Sequence, residues 1–148
     1  MKRQALMILT TLSFLVMLTA TSVYAQFSTV QVANIPFEFV IGNRAFPAGE
    51  YTFTNRFTNV IQIQSLDRGE SMFVLTGPVE AKKTRNELVF RRYGDKYFLS
   101  RLWTEGDNVG RAVRMSSSER ELIQARSGMA RSSSVPQMVS VVIVGNKR

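Results

Sequence analysis

The sequence predicts a mainly β protein, an antiparallel meander that forms a small barrel or sandwich, with one short C-terminal helix. Apolar and polar residues alternate with a period of two in several short stretches, as in half-buried strands. Gly, Pro, Asn and Asp separate these stretches at the spacing of turns. A serine run followed by acidic residues then marks the start of a single helix.

The first strand is predicted at 35–41, where Ile or Phe occupies every second position. Pro36 cannot donate to a β ladder, so it belongs at the start of a strand or on a sheet edge. A separate short strand is predicted at 29–33, before a bend. Further strands follow from the same alternation at 51–55, 59–66 and 71–76. Gly77-Pro78 is predicted to end the last of these.

A hairpin is predicted around Gly94-Asp95, a tight turn in which Gly supplies positive φ. Its strands are Glu87 to Tyr93 and Lys96 to Thr104. If Tyr93 pairs with Lys96, Arg92 faces Tyr97, and an uninterrupted ladder continues with Phe90 opposite Leu99 and Leu88 opposite Arg101.

The pattern changes after residue 104. Ser118 and Glu121 fit a capping box, which predicts a short helix from Glu119 to about Arg126. Gly128 to Pro136 has the composition of a flexible linker. Met138 to Val144 is apolar and uncharged, and is either a last strand or an exposed tail. We expect it to dock on a sheet edge, because a free segment of this kind aggregates.

The N-terminus carries the pattern of a secretory signal peptide. Lys2 and Arg3 precede an apolar stretch at 5–20, and the small residues Val23 and Ala25 predict cleavage after Ala25. The alternative is an uncleaved membrane anchor, but the stretch is shorter than the roughly 20 residues that a span needs. We therefore expect an exported protein, periplasmic or extracellular, with no transmembrane span after cleavage.

The predicted organisation has four parts. They are a signal peptide at 1–25, a β-domain core at 26–104, a loop with a short helix and Ser-rich linker at 105–136, and a C-terminal strand or tail at 137–148.

Two missing residue types exclude several kinds of chemistry. The chain has no Cys, which excludes disulfides, and no His, which removes the usual general base near neutral pH. A Ser-His-Asp triad, a Cys-His pair and a His- or Cys-based zinc site are therefore impossible within one chain. We predict no cofactor, no metal site and no enzymatic activity.

The positive charge favours anionic partners. Without Lys2 and Arg3, 17 basic residues remain against 11 acidic ones, a net charge of +6. Solubility alone is the alternative explanation. Lys82, Lys83 and Arg85 form a compact basic run that could touch an anionic surface, or a solvated loop. The run lacks the aromatic spacing of nucleic-acid-binding segments, so nucleic acid is disfavoured as a partner.

Four residues of the predicted hairpin are candidates for ligand binding: Arg92, Tyr97, Arg101 and Trp103. Aromatic faces stack on sugars or bases, and guanidinium groups hold phosphate or carboxylate. The alternative is that Tyr97 and Trp103 line the core while the arginines are solvated, because alternating aromatic residues on a strand mostly pack. Arg91 and Tyr93 belong to the same aromatic and basic group.

Three motifs carry a family resemblance. Residues 34–39 read N-I-P-F-E-F, residues 47–51 read P-A-G-E-Y, and residues 92–99 read R-Y-G-D-K-Y-F-L. Together they resemble a family of small exported β-rich proteins of soil bacteria with no assigned activity. The resemblance covers roughly residues 32–126 and implies an exported β-domain without catalytic residues. The Ser-rich linker and the Val-rich tail depart from the family pattern.

The leading functional hypothesis is an exported, non-enzymatic binding or structural β-module that engages an anionic cell-envelope component. A second hypothesis is a small-ligand carrier whose barrel cavity is lined by Phe37 and Phe39. A third is a hydrolase that uses two carboxylates, although no spacing singles out a pair. The acidic residues available for it are Glu38, Glu50, Glu70, Glu80, Glu87 and Asp95.

Overall fold

The computed structural model describes residues 30–80, 85–129 and 135–145. The predicted signal peptide and most of the Ser-rich linker lie outside the described residues, as do Lys82 and Lys83. Arg85 is exposed.

The prediction of a mainly β fold with a short C-terminal helix is confirmed. The strands of the described residues are β1 (Val30–Ile35), β2 (Phe39–Ile41), β3 (Arg44–Phe46), β4 (Gly49–Phe57), β5 (Val60–Ser65), β6 (Ser71–Glu80), β7 (Glu87–Tyr93), β8 (Lys96–Trp103), β9 (Val109–Val113), β10 (Gln137–Val142) and β11 (Val144–Gly145). Helix α1 spans Ser117–Met129. The strands β3, β9 and β11 had no counterpart among the predicted ones.

The strands follow the order β10-β7-β8-β9-β6-β5-β4-β1-β11, and neighbours in this order are antiparallel. The β2–β3 hairpin lies off this path, because β2 pairs in parallel with the first half of β8. Among the described strands the ladder is not closed. This arrangement is consistent with a sandwich, one of the two architectures that the sequence predicted.

Strand β6 joins the two layers of the sandwich. Its residues 71–75 pair with β5, and its residues 76–80 pair with β9. The prediction that Gly77-Pro78 ends this strand is therefore wrong. Pro78 is tolerated because the described second half of β6 is paired on one side only, so the missing N–H breaks no ladder bond on the other.

The single strand predicted at 35–41 is two strands in the structure. The ladder of β1 with β4 ends at Ile35, and β2 begins at Phe39 beside β8. Pro36 lies between them, where a residue without an N–H ends the pairing. The period-two apolar pattern still predicts which side chains are buried. Ile35, Phe39 and Ile41 are all buried although they belong to different strands.

Aromatic rings fill the centre of the core. The ring centroid of Phe39 lies 5.5 Å from that of Phe46, 5.0 Å from Tyr51 and 5.6 Å from Phe90. All four side chains are buried. Burying each contributes on the order of 2–3 kcal/mol through apolar surface removed from water. The core therefore stabilises the domain without disulfides.

The predicted hairpin register is confirmed from the turn to the Phe90–Leu99 pair. Beyond it, the predicted pairing of Leu88 with Arg101 is wrong. A β-bulge adds one residue to β8, so Leu88 pairs with Leu102 and Arg101 shifts to the other face. The bulge keeps two buried leucines opposite each other, where an uninterrupted ladder would bury a guanidinium.

The C-terminal segment docks on the sheet, as predicted. Strand β10 pairs with β7 along its whole length, from Gln137 opposite Arg92 to Val142 opposite Glu87. Ile143 follows, buried in the core, and β11 then pairs with β1. One short segment therefore supplies the strands at both ends of the sheet order.

Helix α1 is longer than predicted and starts earlier. Its cap is Ser116, whose Oγ accepts a hydrogen bond from the backbone N–H of Glu119 at 3.1 Å. The predicted cap, Ser118, lies inside the helix. Helices long and apolar enough to cross a membrane are absent from the residues that the structure describes.

Candidate functional site

Arg92 and Tyr97 come together as cross-strand partners in the β7–β8 hairpin. The guanidinium carbon of Arg92 lies 5.3 Å from the centroid of the Tyr97 ring, a cation–π contact. The Tyr97 ring also stacks on Phe37, with centroids 4.0 Å apart and planes 16° from parallel. The ring therefore packs within the protein and supports the Arg92 guanidinium.

Arg101 and Trp103 lie on the opposite face of the hairpin. They pair with Val89 and Glu87, which alternate with the core residue Leu88. Arg101 is exposed, whereas Trp103 is buried. A side-chain carbon at position 110 would overlap the Trp103 ring, so Gly110 makes room for it. The bulge thus divides the four predicted residues between two faces, and they do not form one site.

A different basic group forms at the β7–β8 turn, made of Arg92, Lys96 and Arg126, which we call the turn cluster. Arg92 Nε donates to the carbonyl oxygen of Gly94 at 2.7 Å, and Arg126 Nη2 donates to that of Tyr93 at 2.9 Å. Lys96 begins the next strand and is exposed. Two guanidinium groups from separate elements therefore converge on one turn.

Gly94 is required at this turn for two reasons. Its φ of 67° lies in the left-handed region, which favours glycine. A Cβ at this position would also lie 2.7 Å from Arg126 Nη2. Gly94 therefore lets the backbone adopt the turn conformation and leaves space for the Arg126 side chain.

Among the described residues, no carboxylate forms an ion pair with the turn cluster, and the exposed Asp95 of the turn itself offsets one of its charges. The ion pairs there are Arg44 with Glu70 and Arg91 with Glu119. A guanidinium carries five N–H donors, and the turn carbonyls accept one from each arginine. Arg92 makes one further, long hydrogen bond of 3.5 Å from Nη1 to Gln137 Oε1. Several donors on each side chain remain for an anionic group.

A buried ion pair holds α1 against the sheet close to this turn. Glu119 is 1% exposed and binds Arg91 through two bonds, Nε to Oε1 at 2.5 Å and Nη2 to Oε2 at 2.9 Å. The Tyr93 hydroxyl donates to Glu119 Oε1 at 3.1 Å, and Arg91 Nη1 donates to Ser100 Oγ at 2.8 Å. These contacts position the helix that supplies Arg126.

Sequence reasoning found part of this network and missed the rest. It grouped Arg91 and Tyr93 with the candidate site, but it assigned Glu119 only to the start of a helix. The Ser116-to-Glu119 spacing marks a capping box, yet Glu119 reaches across to β7. A local pattern carries no signal for that contact, because its partner lies 28 residues earlier in the chain.

Burial raises the pKa of two tyrosines. It raises the pKa of Tyr93, and the charge and hydrogen bond of Glu119 raise it further. Burial also raises the pKa of Tyr51, whose hydroxyl donates to the carbonyl oxygen of Pro47 at 2.7 Å. In both cases the environment favours the neutral phenol over the phenolate.

The free energy of unfolding is therefore expected to fall above about pH 10, where the tyrosines of an unfolded chain titrate. With raised pKa values, the folded state keeps these protons longer than the unfolded state does. The contribution of Tyr51 and Tyr93 to stability is constant below about pH 10 and is lost as the pH rises through their folded-state pKa values. In urea denaturation from about pH 9.5 to 11.5, Tyr51→Phe/Tyr93→Phe should lose less stability than the parent. If the free energy of unfolding depends on pH equally in the parent and in the double variant, the two tyrosines do not have raised pKa values.

The described residues form open grooves on the surface, two of which adjoin a basic side chain. One, of about 440 Å³, runs between α1 and the sheet beside Lys96, Phe98 and Leu122. The other, of about 420 Å³, lies at the β4–β5 turn beside Thr58, Asp107 and Arg111. The first adjoins the turn cluster through Lys96.

The carboxylates considered for hydrolysis are mostly exposed: Glu38, Glu50, Glu70, Glu80 and Asp95. Glu87 is buried. Groups of three or more acidic residues placed to hold a metal ion do not occur among the residues described.

Comparisons with known proteins gave no match: no family model, no curated protein sequence and no solved structure matches this chain.

Proposed function

We propose that this protein is an exported, non-enzymatic binding module that engages an anionic component of the cell envelope through the turn cluster. The observation that carries the proposal is that the Arg92 and Arg126 guanidinium groups both reach the β7–β8 turn, which the exposed Lys96 follows directly, and that neither forms an ion pair with a carboxylate among the described residues. Export rests on the signal-peptide pattern and on the resemblance to small exported β-rich proteins.

The cluster suits a phosphate or carboxylate group. Arginine presents its donors in a planar fork that matches such groups, and lysine adds a compact charge. The Tyr97 ring and the Gly94 carbonyl restrict Arg92, so part of the side-chain entropy is lost before binding. The cluster is thus partly preorganised for an anion, which supports binding as its role.

The two alternative functions receive less support. The ring cluster around Phe39 fills the centre of the core, where a carrier would need a cavity. Glu119, a buried carboxylate, has both oxygens engaged by Arg91 and one also by Tyr93. A carboxylate held in this way supports structure more than it supports acid–base chemistry.

Removing charge from the cluster is expected to weaken capture by envelope extracts. Arg92→Gln/Lys96→Gln deletes two charges worth about 1 kcal/mol each near an anionic surface, so binding should fall about thirty-fold at low salt. The measurement is a pull-down from envelope extracts over a salt titration. The parent should be released progressively as salt screens the contact.

The matched control is Arg68→Gln/Arg114→Gln, which removes two exposed charges away from the turn. It should bind within about two-fold of the parent, because only distant, screened charges change. Equal loss in both double variants would show that net charge alone drives capture. Salt-insensitive capture would also contradict the proposal.

A further inference from the structure

An exposed apolar patch lies on the outer surface of the layer formed by β4, β5 and β6. Phe57 is 70% exposed, Leu75 is 68% exposed and Phe73 is 61% exposed. Val60, between them, is half-buried. We call these four residues the apolar face. Large apolar side chains scattered singly over a surface need no explanation, but a contiguous patch usually marks an interaction site.

Strand register makes the patch contiguous. Val60 pairs with Phe57 on one side and with Leu75 on the other. Phe73 follows two residues before Leu75 and therefore projects from the same face. Three neighbouring strands thus place their large apolar residues side by side.

An arginine flanks the patch because β4 carries a β-bulge there. Arg56 follows the outward positions Thr52 and Thr54 by alternation, and the register shift between Asn55 and Phe57 brings Phe57 to the same outer face beside it. Arg56 Nε donates to Gln62 Oε1 at 2.6 Å, and Gln62 is the cross-strand partner of Phe73. The bulge therefore places Phe57 of the apolar face next to a cationic side chain.

A second arginine lies at the same end of the layer. Arg111 of β9 donates to the carbonyl oxygen of Thr58 in the β4–β5 turn. The groove beside this turn also contains Asp107, which offsets part of the positive charge. The patch thus has Arg56 and Arg111 at its border, with the Asp107 carboxylate near Arg111.

The area of the patch argues against a second copy of the chain as its occupant. With about 200 Å² for a fully exposed aromatic residue, its exposed side chains present on the order of 400 Å². A stable protein interface needs about 800 Å² from each partner. Central strand β5 is also hydrogen-bonded on both sides, so this surface offers side chains and no free backbone edge.

We infer that the apolar face docks on the surface of an anionic lipid bilayer. Phe57, Phe73 and Leu75 would enter the boundary between head groups and acyl chains, while Arg56 and Arg111 contact lipid phosphates. A bilayer requires no shape complementarity, and a small apolar area combined with cations gives reversible binding to it. The inference rests on the proposed function only in taking an anionic envelope component as partner, and it uses a different surface.

The test is co-sedimentation of the protein, as recovered from its expression host, with phosphatidylcholine vesicles containing phosphatidylglycerol. Phe57→Ser/Leu75→Ser should reduce partitioning at least about ten-fold, because two of the three inserting side chains become polar. The control, Leu66→Ser/Val142→Ser, changes two exposed apolar residues outside the patch and should partition like the parent. Vesicles of phosphatidylcholine alone should bind the parent more weakly. Thermal unfolding checks that both variants are folded.

Three results would overturn the inference. One is equal sedimentation of Phe57→Ser/Leu75→Ser and the parent, and another is equal loss in the control. The third is a dimer of the parent in sedimentation velocity that Phe57→Ser/Leu75→Ser abolishes, which would assign the patch to a second copy.

The turn-cluster variant separates this inference from the proposed function. If Arg92→Gln/Lys96→Gln loses capture by envelope extracts while Phe57→Ser/Leu75→Ser binds vesicles normally, the lipid inference fails alone. If Phe57→Ser/Leu75→Ser loses vesicle binding while Arg92→Gln/Lys96→Gln keeps full capture, the proposed function fails alone.

Discussion

Replacing Glu119 with alanine is expected to lower the free energy of unfolding by about 3–5 kcal/mol, the usual cost of removing one member of a buried ion pair. The substitution leaves the Arg91 guanidinium, only 15% exposed, without its carboxylate, and it removes the acceptor of the Tyr93 hydroxyl. Urea denaturation at neutral pH measures the change.

The matched control is Glu121→Ala, two residues along the same helix and exposed, which should change stability by less than about 0.5 kcal/mol. The double variant Arg91→Met/Glu119→Leu should lose less than Glu119→Ala alone, because it leaves no uncompensated buried charge. If Glu119→Ala and Glu121→Ala cost the same, Glu119 does not anchor the helix.

Loss of this anchor is also expected to affect binding. Arg126 lies near the end of α1 and reaches the β7–β8 turn only while the helix is docked. If the turn cluster binds anions, Glu119→Ala should therefore weaken capture by envelope extracts even under conditions where the sheet stays folded.

Replacing Ile143 with alanine is expected to cost about 2–5 kcal/mol. Ile143 is 3% exposed and belongs to the hydrophobic core, and its backbone N–H donates to the carbonyl oxygen of Asn86 at 3.1 Å. The shortened side chain leaves a cavity where the last strands β10 and β11 meet the sheet. Thermal or urea unfolding measures the loss.

The adjacent Val142→Ala is the control, since Val142 is 63% exposed and should change stability by less than about 0.5 kcal/mol. Equal effects of the two substitutions would mean that backbone hydrogen bonds alone hold the C-terminal segment on the sheet. A large effect of Ile143→Ala alone would establish the segment as part of the folded domain.

The division of the predicted site illustrates what a sequence pattern leaves open. Strict alternation from Tyr97 to Trp103 would place Tyr97, Arg101 and Trp103 on one face. One extra residue in β8 moved Arg101 and Trp103 to the other face. A bulge inserts a residue without a strong sequence mark, so only packing against β7 reveals it.

The change of strand partner at Pro36 is a second case in which distant parts of the chain decide the structure. The spacing of Ile35, Phe39 and Ile41 correctly predicted burial, because each side chain meets the same core. It did not predict that the chain changes partner strand between them, from β4 to β8. Which ladder a residue joins depends on strands that arrive from distant parts of the chain.

The sequence by itself determined the mainly β fold class, the tight turn at Gly94, a short C-terminal helix and the absence of histidine and cysteine chemistry. These follow from local periodicity, turn residues and composition. Only the tertiary structure decided that Arg126 joins Arg92 at one turn, that Glu119 pairs with Arg91, and that Phe57, Phe73 and Leu75 form one patch. Each of these is a contact between residues distant in sequence, fixed by strand register and helix docking, which no local pattern encodes.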